Sequence, residues 1–255
     1  MLNFAIQTAR EAGRILAERI GRVLQVSNKG DIDLVTESDL ASEKLIIERI
    51  RSHYPRHAIL AEESGEAVAT EIQSEWKWIV DPLDGTTNYA HGYPCFCVSI
   101  GLERSGRIEL GVVYDPLRDE VFAAERGRGT TLNERRIRVS SIEELNQAML
   151  CTGFPYDVRE RPHFARHFSN FTMEAQAVRR DGSAALDLAY VAAGRFDGFW
   201  EDGLSPWDVA AGVLLVEEAG GRVSDFRGDP LDIYTPQVLV SNGAIHESMM
   251  RVLSG

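Results

Sequence analysis

The sequence predicts an α/β fold of stacked helices and sheets: one 255-residue domain with two closely packed lobes, about 1–145 and 146–255. Three observations carry this. Short apolar, β-favouring runs recur beside longer stretches of helical periodicity. Near residue 140 the pattern changes from paired strands to strands alternating with helices. No linker rich in Pro, Gly and Ser, no internal repeat and no low-complexity tract divides the chain.

In order, residues 2–25 place Leu2, Ile6, Ala9, Gly13, Leu16, Ile20 and Val23 at helical spacing. A polar turn and a short extended piece follow, and residues 40–52 resume the helical pattern until Tyr54-Pro55 ends it. Asp39, near that helix start, is first of all a cap candidate. Residues 57–61 read as a short strand that stops at Glu62-Glu63-Ser64-Gly65. A second apolar run, Trp78-Ile79-Val80, breaks at Asp81-Pro82-Leu83-Asp84-Gly85-Thr86-Thr87. Residues 96–104 and 107–115 pair as strands across Ser105-Gly106. Asp115-Pro116-Leu117-Arg118-Asp119 turns the chain into 120–124. The second half reads as strands at 147–151, 175–179, 196–201, 221–226 and 237–241, and helices at 160–172, 183–194 and 207–219.

Composition excludes several classes. With 44% hydrophobic and 26% charged residues the chain is typical of a soluble globular protein. A net charge of −12 argues against a nucleic-acid surface, and an anionic substrate would need cations to hold it. Three cysteines form no disulfide framework and point to a reducing, cytoplasmic setting. Cys95 and Cys97 alternate along a strand and face one side, as buried thiols. Arg10 and Glu11 inside the first helical pattern exclude a signal peptide there, and no apolar run reaches the ~18 residues of a membrane helix.

The chemistry concentrates at the junctions of elements. In DPLDGTT, Asp81 and Asp84 stand three residues apart around a proline, and the Leu83 carbonyl adds a third hard oxygen, the kind of ligand magnesium or calcium prefers. Gly85 permits close backbone approach, and Thr86-Thr87 offer donors suited to a phosphate oxygen. The same motif alone also serves as an ordinary turn. The second DPL, at Asp115, lacks the Asp-Gly-Thr that follows and reads as a hairpin loop. Asp181-Gly182-Ser183-Ala184-Ala185 opens a helix, either as an anion seat or as a plain N-cap. Asp208 stands in the first turn of an apolar helix, where acids are also common caps. Together Glu62, Asp81, Asp84 and Asp208 suit two magnesium ions, a device for phosphate-ester hydrolysis. The six histidines complete no nucleophilic triad by motif, and His91 reads as a loop residue.

WIVDPLDGTTNYAHG with FCVSIGL, the AEES segment, and PWDVAAGVLLVEEAGG resemble the three signature regions of the inositol monophosphatase family, magnesium-dependent and lithium-sensitive phosphatases. DLVTESD and GSAALDLAYVAAG extend the resemblance along nearly the whole chain. It implies an αβαβα sandwich and a homodimer. It further implies that Glu62, Asp81 and the Leu83 carbonyl hold one Mg2+, that Asp81, Asp84 and Asp208 hold a second, and that a third, weaker ion shares Glu62. Thr86, backed by Asp39, would orient the attacking water. Gly85 and Thr86 N–H groups would receive phosphate, with Gly182, Ser183, Ala184 and Glu201 facing the alcohol. Asp84 and Asp208 would border substrate as well. The family often has glycine before the paired glutamates, where this chain has Ala61.

The expected function is hydrolysis of a small polyol or sugar phosphate monoester, with inositol monophosphate first. Histidinol phosphate and fructose 1,6-bisphosphate are alternatives within the family. A haloacid-dehalogenase-type aspartyl-phosphate mechanism is disfavoured because two residues, not one, separate the aspartates. A non-catalytic dimeric regulator keeping the fold is the alternative of another class, and the full set of expected ligands argues for catalysis.

Overall fold

The computed structural model describes residues 1–21, 26–28, 34–67, 74–154 and 163–255. In chain order the elements open with α1 (Leu2–Arg19), β1 (Val26–Asn28), β2 (Leu34–Thr36), α2 (Glu37–His53), β3 (Ala58–Ala61), β4 (Gly65–Ala67), β5 (Trp76–Asp84) and α3 (Thr86–Ala90). A meander follows: β6 (Cys97–Arg104), β7 (Arg107–Asp115), β8 (Glu120–Glu125), β9 (Thr130–Leu132) and β10 (Arg135–Arg136). The second half comprises β11 (Met149–Thr152), α4 (His163–Glu174), β12 (Ala177–Arg179), α5 (Ala184–Ala192), β13 (Gly198–Asp202), α6 (Pro206–Glu218), β14 (Arg222–Ser224), β15 (Gln237–Ser241) and α7 (His246–Ser254).

Among the described residues two sheets form, apart from the β1–β2 pair. An eight-stranded sheet has the order β10-β9-β8-β7-β6-β5-β3-β4, and a five-stranded sheet the order β12-β11-β13-β15-β14. Side-chain alternation assigns their faces. Trp78 and Val80 point into one core with Ala5, Ala9, Leu16, Ile46 and Ile50 of α1 and α2. Ile79 points into another, with α5, α6 and the Phe199 and Val240 face of the smaller sheet. The far side of that sheet packs Leu150, Trp200 and Leu239 against Phe171 of α4 and Met249 of α7. The layers are therefore helices, sheet, helices, sheet, helices: the expected αβαβα sandwich.

The middle layer explains the apolar run late in the chain. Eight consecutive residues of α6, Val209–Val216, are buried, as a helix between two sheets must be. A Cβ on Gly111 of β7 would stand 2.6 Å from the Ala211 carbonyl oxygen, so glycine is what lets α6 lie this close to the large sheet.

Several sequence expectations shift. The first helix is shorter than 2–25: it ends at Arg19, where Ile20 turns to ψ 140° and Gly21 to φ +72°. Val23, in 22–25, lies outside the described residues, as do 29–33 of the following turn and 160–162 of the helix expected at 160–172. The second helix begins at Glu37, not 40, because Thr36 and Asp39 form a capping box. The DPLD segment does not end its strand: β5 continues to Asp84, which pairs with Cys97, and the proline is absorbed by a register shift between Asp81 and Asp84. Helices α3 and α7 and strands β1, β4, β9 and β10 are additional; these strands are two or three residues long and carry little periodic signal. Among the described residues no helix is long and apolar enough to cross a membrane.

Candidate active site

The carboxylates meet where elements end. Strands β3 and β5 run parallel with Ala61 opposite Val80, so the next residues, Glu62 and Asp81, emerge side by side. The Glu62 N–H donates to the Val80 carbonyl at 3.2 Å and holds the crossing. Ala61 is fully buried as the last residue of β3, and alanine fits there without distortion. Asp84 follows on β5, and Asp208 arrives from the first turn of α6.

Ligand atoms of Asp81, Asp84 and Asp208 all lie within 4.8 Å of one another. Each carboxylate has one oxygen held by protein donors, from its own turn for Asp81 and Asp208 and from the start of α5 for Asp84. Asp81 Oδ1 accepts the Leu83 N–H at 2.9 Å. Asp208 Oδ2 accepts the Ser205 N–H at 2.7 Å and closes a capping box on α6. Asp84 Oδ2 accepts the Ala185 N–H at 2.8 Å and the Ser183 hydroxyl at 2.6 Å. Capping and clustering are thus one arrangement: the oxygen not used by the backbone is the one left for a ligand. Glu62 is not within the 4.8 Å triad, yet its charge bears on Asp81 and Asp208.

Burial pushes Asp81 well above the ordinary carboxylate range, and the charges of Glu62, Asp84 and Asp208 push it further. Asp208 is raised by burial, then by Asp84. Asp84 is raised by burial too, against the lowering effect of Ser183 and Ala185. Buried acids that repel one another fit a divalent cation, whose charge reverses the balance.

Beside the triad, Gly85 adopts φ +96°, and a Cβ there would meet the Cys95 carbonyl oxygen at 2.8 Å. Only glycine admits this turn. Thr86 opens α3, and its hydroxyl is shared between Asp39 Oδ1 at 3.0 Å and the Leu83 carbonyl at 3.1 Å. Asp39 is fully buried, its other oxygen held by the Thr36 N–H, and burial raises its pKa. Asp39 is thus both the cap read from the sequence and the partner of Thr86. Asn88 Nδ2 reaches the carbonyls of Cys95, Asp181 and Gly182, tying α3 to the second half of the chain.

A polar cleft of about 110 Å³ joins these parts, bordered by Asp84, Gly85, Gly182, Ala184, Glu201 and Asp208. Glu201, at the end of β13, is pushed up to about 8 by burial and then by the Asp84 charge. Gly153 makes room for it: a Cβ there would fall 2.1 Å from Glu201 Oε1. Phe154 and Arg180 also border the cleft, with the guanidinium 5.3 Å from the ring centroid. Sequence reasoning missed Gly153, Phe154, Asn88 and Arg180. Only Arg180 had a signal, as the cation directly before Asp181-Gly182. A larger cavity of about 750 Å³ lies elsewhere, against Ile108, Val213 and Tyr234, and touches none of the triad. The chemistry, not the size, selects the smaller one.

The inositol monophosphatase family model matches residues 1–254. The chain belongs to this family. It is 46% identical over 255 residues to a Synechocystis protein named inositol-1-monophosphatase, covering 99% of this chain and 88% of that one. It is 45% identical over 258 residues to a Pseudomonas aeruginosa protein named Nus factor SuhB, covering 99% and 95%. Among solved structures, an Anabaena inositol monophosphatase superposes with a TM-score of 0.90 at 49% identity, covering 99% and 94%. The Bartonella henselae extragenic suppressor protein suhB superposes with 0.94 at 44% identity, covering 98% and 97%. As a member of this family the chain is an enzyme, a phosphoric monoester hydrolase, with an acidic triad able to hold a metal ion.

Proposed function

We propose that the protein hydrolyses a small polyol or sugar phosphate monoester, with inositol monophosphate as first substrate, and that it works with two to three Mg2+ ions. The single observation that supports this most is the triad of buried Asp81 and Asp84 with half-buried Asp208, each with one oxygen occupied by the protein and their ligand atoms within 4.8 Å. These residues, with Glu62 and the Leu83 carbonyl, would hold the ions. Bound magnesium supplies charge for the phosphoryl oxygens and lowers the pKa of a water.

The chain's own groups then have distinct tasks. Thr86 directs its hydroxyl hydrogen bond at Asp39 and Leu83, so its oxygen lone pairs remain to accept a hydrogen bond from the attacking water and aim that water at phosphorus. That water's oxygen bonds to phosphorus as the phosphorus–alkoxy bond breaks; the proton it loses passes by way of Thr86 to Asp39, and the departing oxygen takes a proton from solvent to leave as the alcohol. The N–H groups of Gly85 and Thr86, at the start of α3 where backbone donors have no intrahelical acceptor, would take phosphate oxygens. Gly182, Ser183, Ala184 and Glu201 would border the alcohol, with Asp84 and Asp208 at its inner edge. The carboxyl group of Glu201 can donate to and accept from adjacent hydroxyls of a polyol. Because Asp84 and Ser183 come from the two halves of the chain, we take the lobes as one catalytic unit.

Phosphate release from inositol 1-phosphate, histidinol phosphate, fructose 1,6-bisphosphate and glycerol phosphate, measured with Mg2+ and with chelator, tests the proposal. Preference for the inositol ester, loss in chelator and inhibition by lithium are expected. Equal rates in chelator would sink it. We further propose a cytoplasmic homodimer, to be checked by light scattering on the purified protein and by cell fractionation. The SuhB relatives' name suggests a partner-binding role as a second reading. A pull-down with Asp81→Asn would separate such binding from turnover.

A further inference from the structure

The oxygen Oδ2 of Asp84 has more partners than a carboxylate oxygen needs. It accepts the Ser183 hydroxyl at 2.6 Å and the Ala185 N–H at 2.8 Å, both from the start of α5. It also accepts the Cys97 thiol, on β6, at 3.7 Å. Such an oxygen offers about two lone-pair directions, so three donors fill it. Ser183 stands at the N-cap of α5 yet makes no side-chain cap, so its hydroxyl is diverted from the helix to Asp84. Asp84 itself caps α5 from the other half of the molecule. Ser183 is 1% exposed and Cys97 fully buried, and their side chains lie 3.8 Å apart. The thiol therefore acts from inside the core, on the protein side of the carboxylate.

We propose that Ser183 and Cys97 are positioning residues for Asp84: with the Ala185 N–H they occupy Oδ2, so that Oδ1 alone is presented to a divalent cation. This rests on the reading of the acidic triad as a metal site. It also moves the Ser183 side chain from the alcohol-binding role expected from the family resemblance to a role exercised through Asp84. Partners that orient a metal-binding carboxylate are typically worth ten- to a hundredfold in metal affinity. The strong Ser183 bond accounts for more of this than the long thiol contact.

The test uses the full-length protein stripped of metal and titrated with Mn2+, free Mn2+ being read by electron paramagnetic resonance without substrate. Ser183→Ala is expected to bind Mn2+ about tenfold more weakly, and Cys97→Ala a few-fold more weakly, with Ser183→Thr near wild type because it keeps the donor. In phosphate-release assays the Mg2+ concentration for half-maximal rate should rise by the same factors, while KM for the ester at saturating Mg2+ stays within about twofold of wild type. Unchanged Mn2+ affinity in Ser183→Ala, or unchanged affinity with a raised KM, overturns the proposal in favour of direct substrate contact. Wild-type affinity in Cys97→Ala overturns the thiol's part. If Ser183→Ala does not fold by circular dichroism, Cys97→Ala and Ser183→Thr decide the question. A wild-type protein that binds Mn2+ but cleaves no ester would refute the proposed function and leave this inference standing on the Mn2+ data. A wild-type protein that binds no Mn2+ would refute both.

Discussion

The sequence Asp-Pro-Leu occurs twice, at Asp81 and at Asp115, and the two copies end in opposite electrostatics. Both aspartates are 1% exposed, and both begin the same local turn: Asp81 accepts the Leu83 N–H, and Asp115 the Leu117 N–H, each at 2.9 Å. Three residues on, one chain places Asp84 and the other Arg118. The Arg118 guanidinium sits 2.8 Å from Asp115 Oδ2, and this hydrogen bond raises the Arg118 pKa. That copy carries its own counter-charge. At Asp81 the nearest charges are Glu62, Asp84 and Asp208, all negative, and its pKa is driven well upward. A buried acid surrounded by acids is costly unless a cation comes from outside. One motif has become a self-neutralised loop and the other an acidic cluster able to hold a cation.

This contrast can be broken by substitution. The largest effect is expected for Asp81→Asn or Asp208→Asn, which should lower kcat/KM at least a thousandfold, about 4 kcal/mol, in a phosphate-release assay. Asp115→Asn should stay within about twofold. Comparable losses in both copies would mean that the first turn is not special. Next come the leucines, identical in sequence but fully buried at Leu83 and 40% exposed at Leu117. Leu83→Ala should cost about 2–5 kcal/mol in denaturant unfolding, and Leu117→Ala no more than about 0.5 kcal/mol.

Metal removal sharpens the comparison further. In the stripped protein Asp81, Asp84 and Asp208 hold protons more tightly than in the unfolded chain, since their pKa values are raised by burial and, for Asp81 and Asp208, by neighbouring acids, Asp84 and Glu62 among them. Their contribution is therefore greatest below the ordinary value of 3.8 and is lost as pH rises through the raised values. His246, buried between Ser224 and Ser241 and lowered to about 4 by burial, works oppositely, losing stability as pH falls from 6.5 toward 4. The difference in melting temperature between Asp81→Asn and wild type in chelator isolates the acidic term and should grow in favour of the variant from pH 5 to pH 8. Mg2+ at about a hundredfold over its Kd should restore about 2.7 kcal/mol to the wild type. A flat difference with pH would refute the picture of mutually repelling acids. Arg118→Ala should cost about 1–3 kcal/mol in denaturant unfolding without loss of turnover, because it leaves a buried carboxylate short of its partner.

Much of the fold was legible. Strand β15 was read residue for residue, β6 and β7 to within one residue, and α6 from its unbroken apolar run, because these elements carry strong periodicity or complete burial. The interruption after Val80 was read as the end of a strand, since a proline removes a ladder donor, whereas the sheet absorbs it as a register shift. The acidic residues of the site were legible because carboxylates at the ends of apolar runs are uncommon placements. Their supports were not. Ser183 was read as a helix cap or anion seat and, from the resemblance, as a residue facing the alcohol, and Cys97 as a buried thiol, neither as a partner of Asp84; neither the glycine beneath Glu201 nor Asn88, which binds carbonyls from three residues, had a local signature.

From the sequence alone came the layers of helices and sheets and the residues with the chemistry for metal and phosphate, which rest on periodicity and side-chain type within short windows, and the family, which rests on the resemblance of its signature motifs. Tertiary structure alone decided which oxygen of each carboxylate is free, that Asp84 caps a helix about a hundred residues away, and that one Asp-Pro-Leu is neutralised while the other is not. Those are matters of distance between segments remote in sequence, and electrostatic energy inside a protein depends on that distance and on burial, neither of which is written in any single stretch of chain.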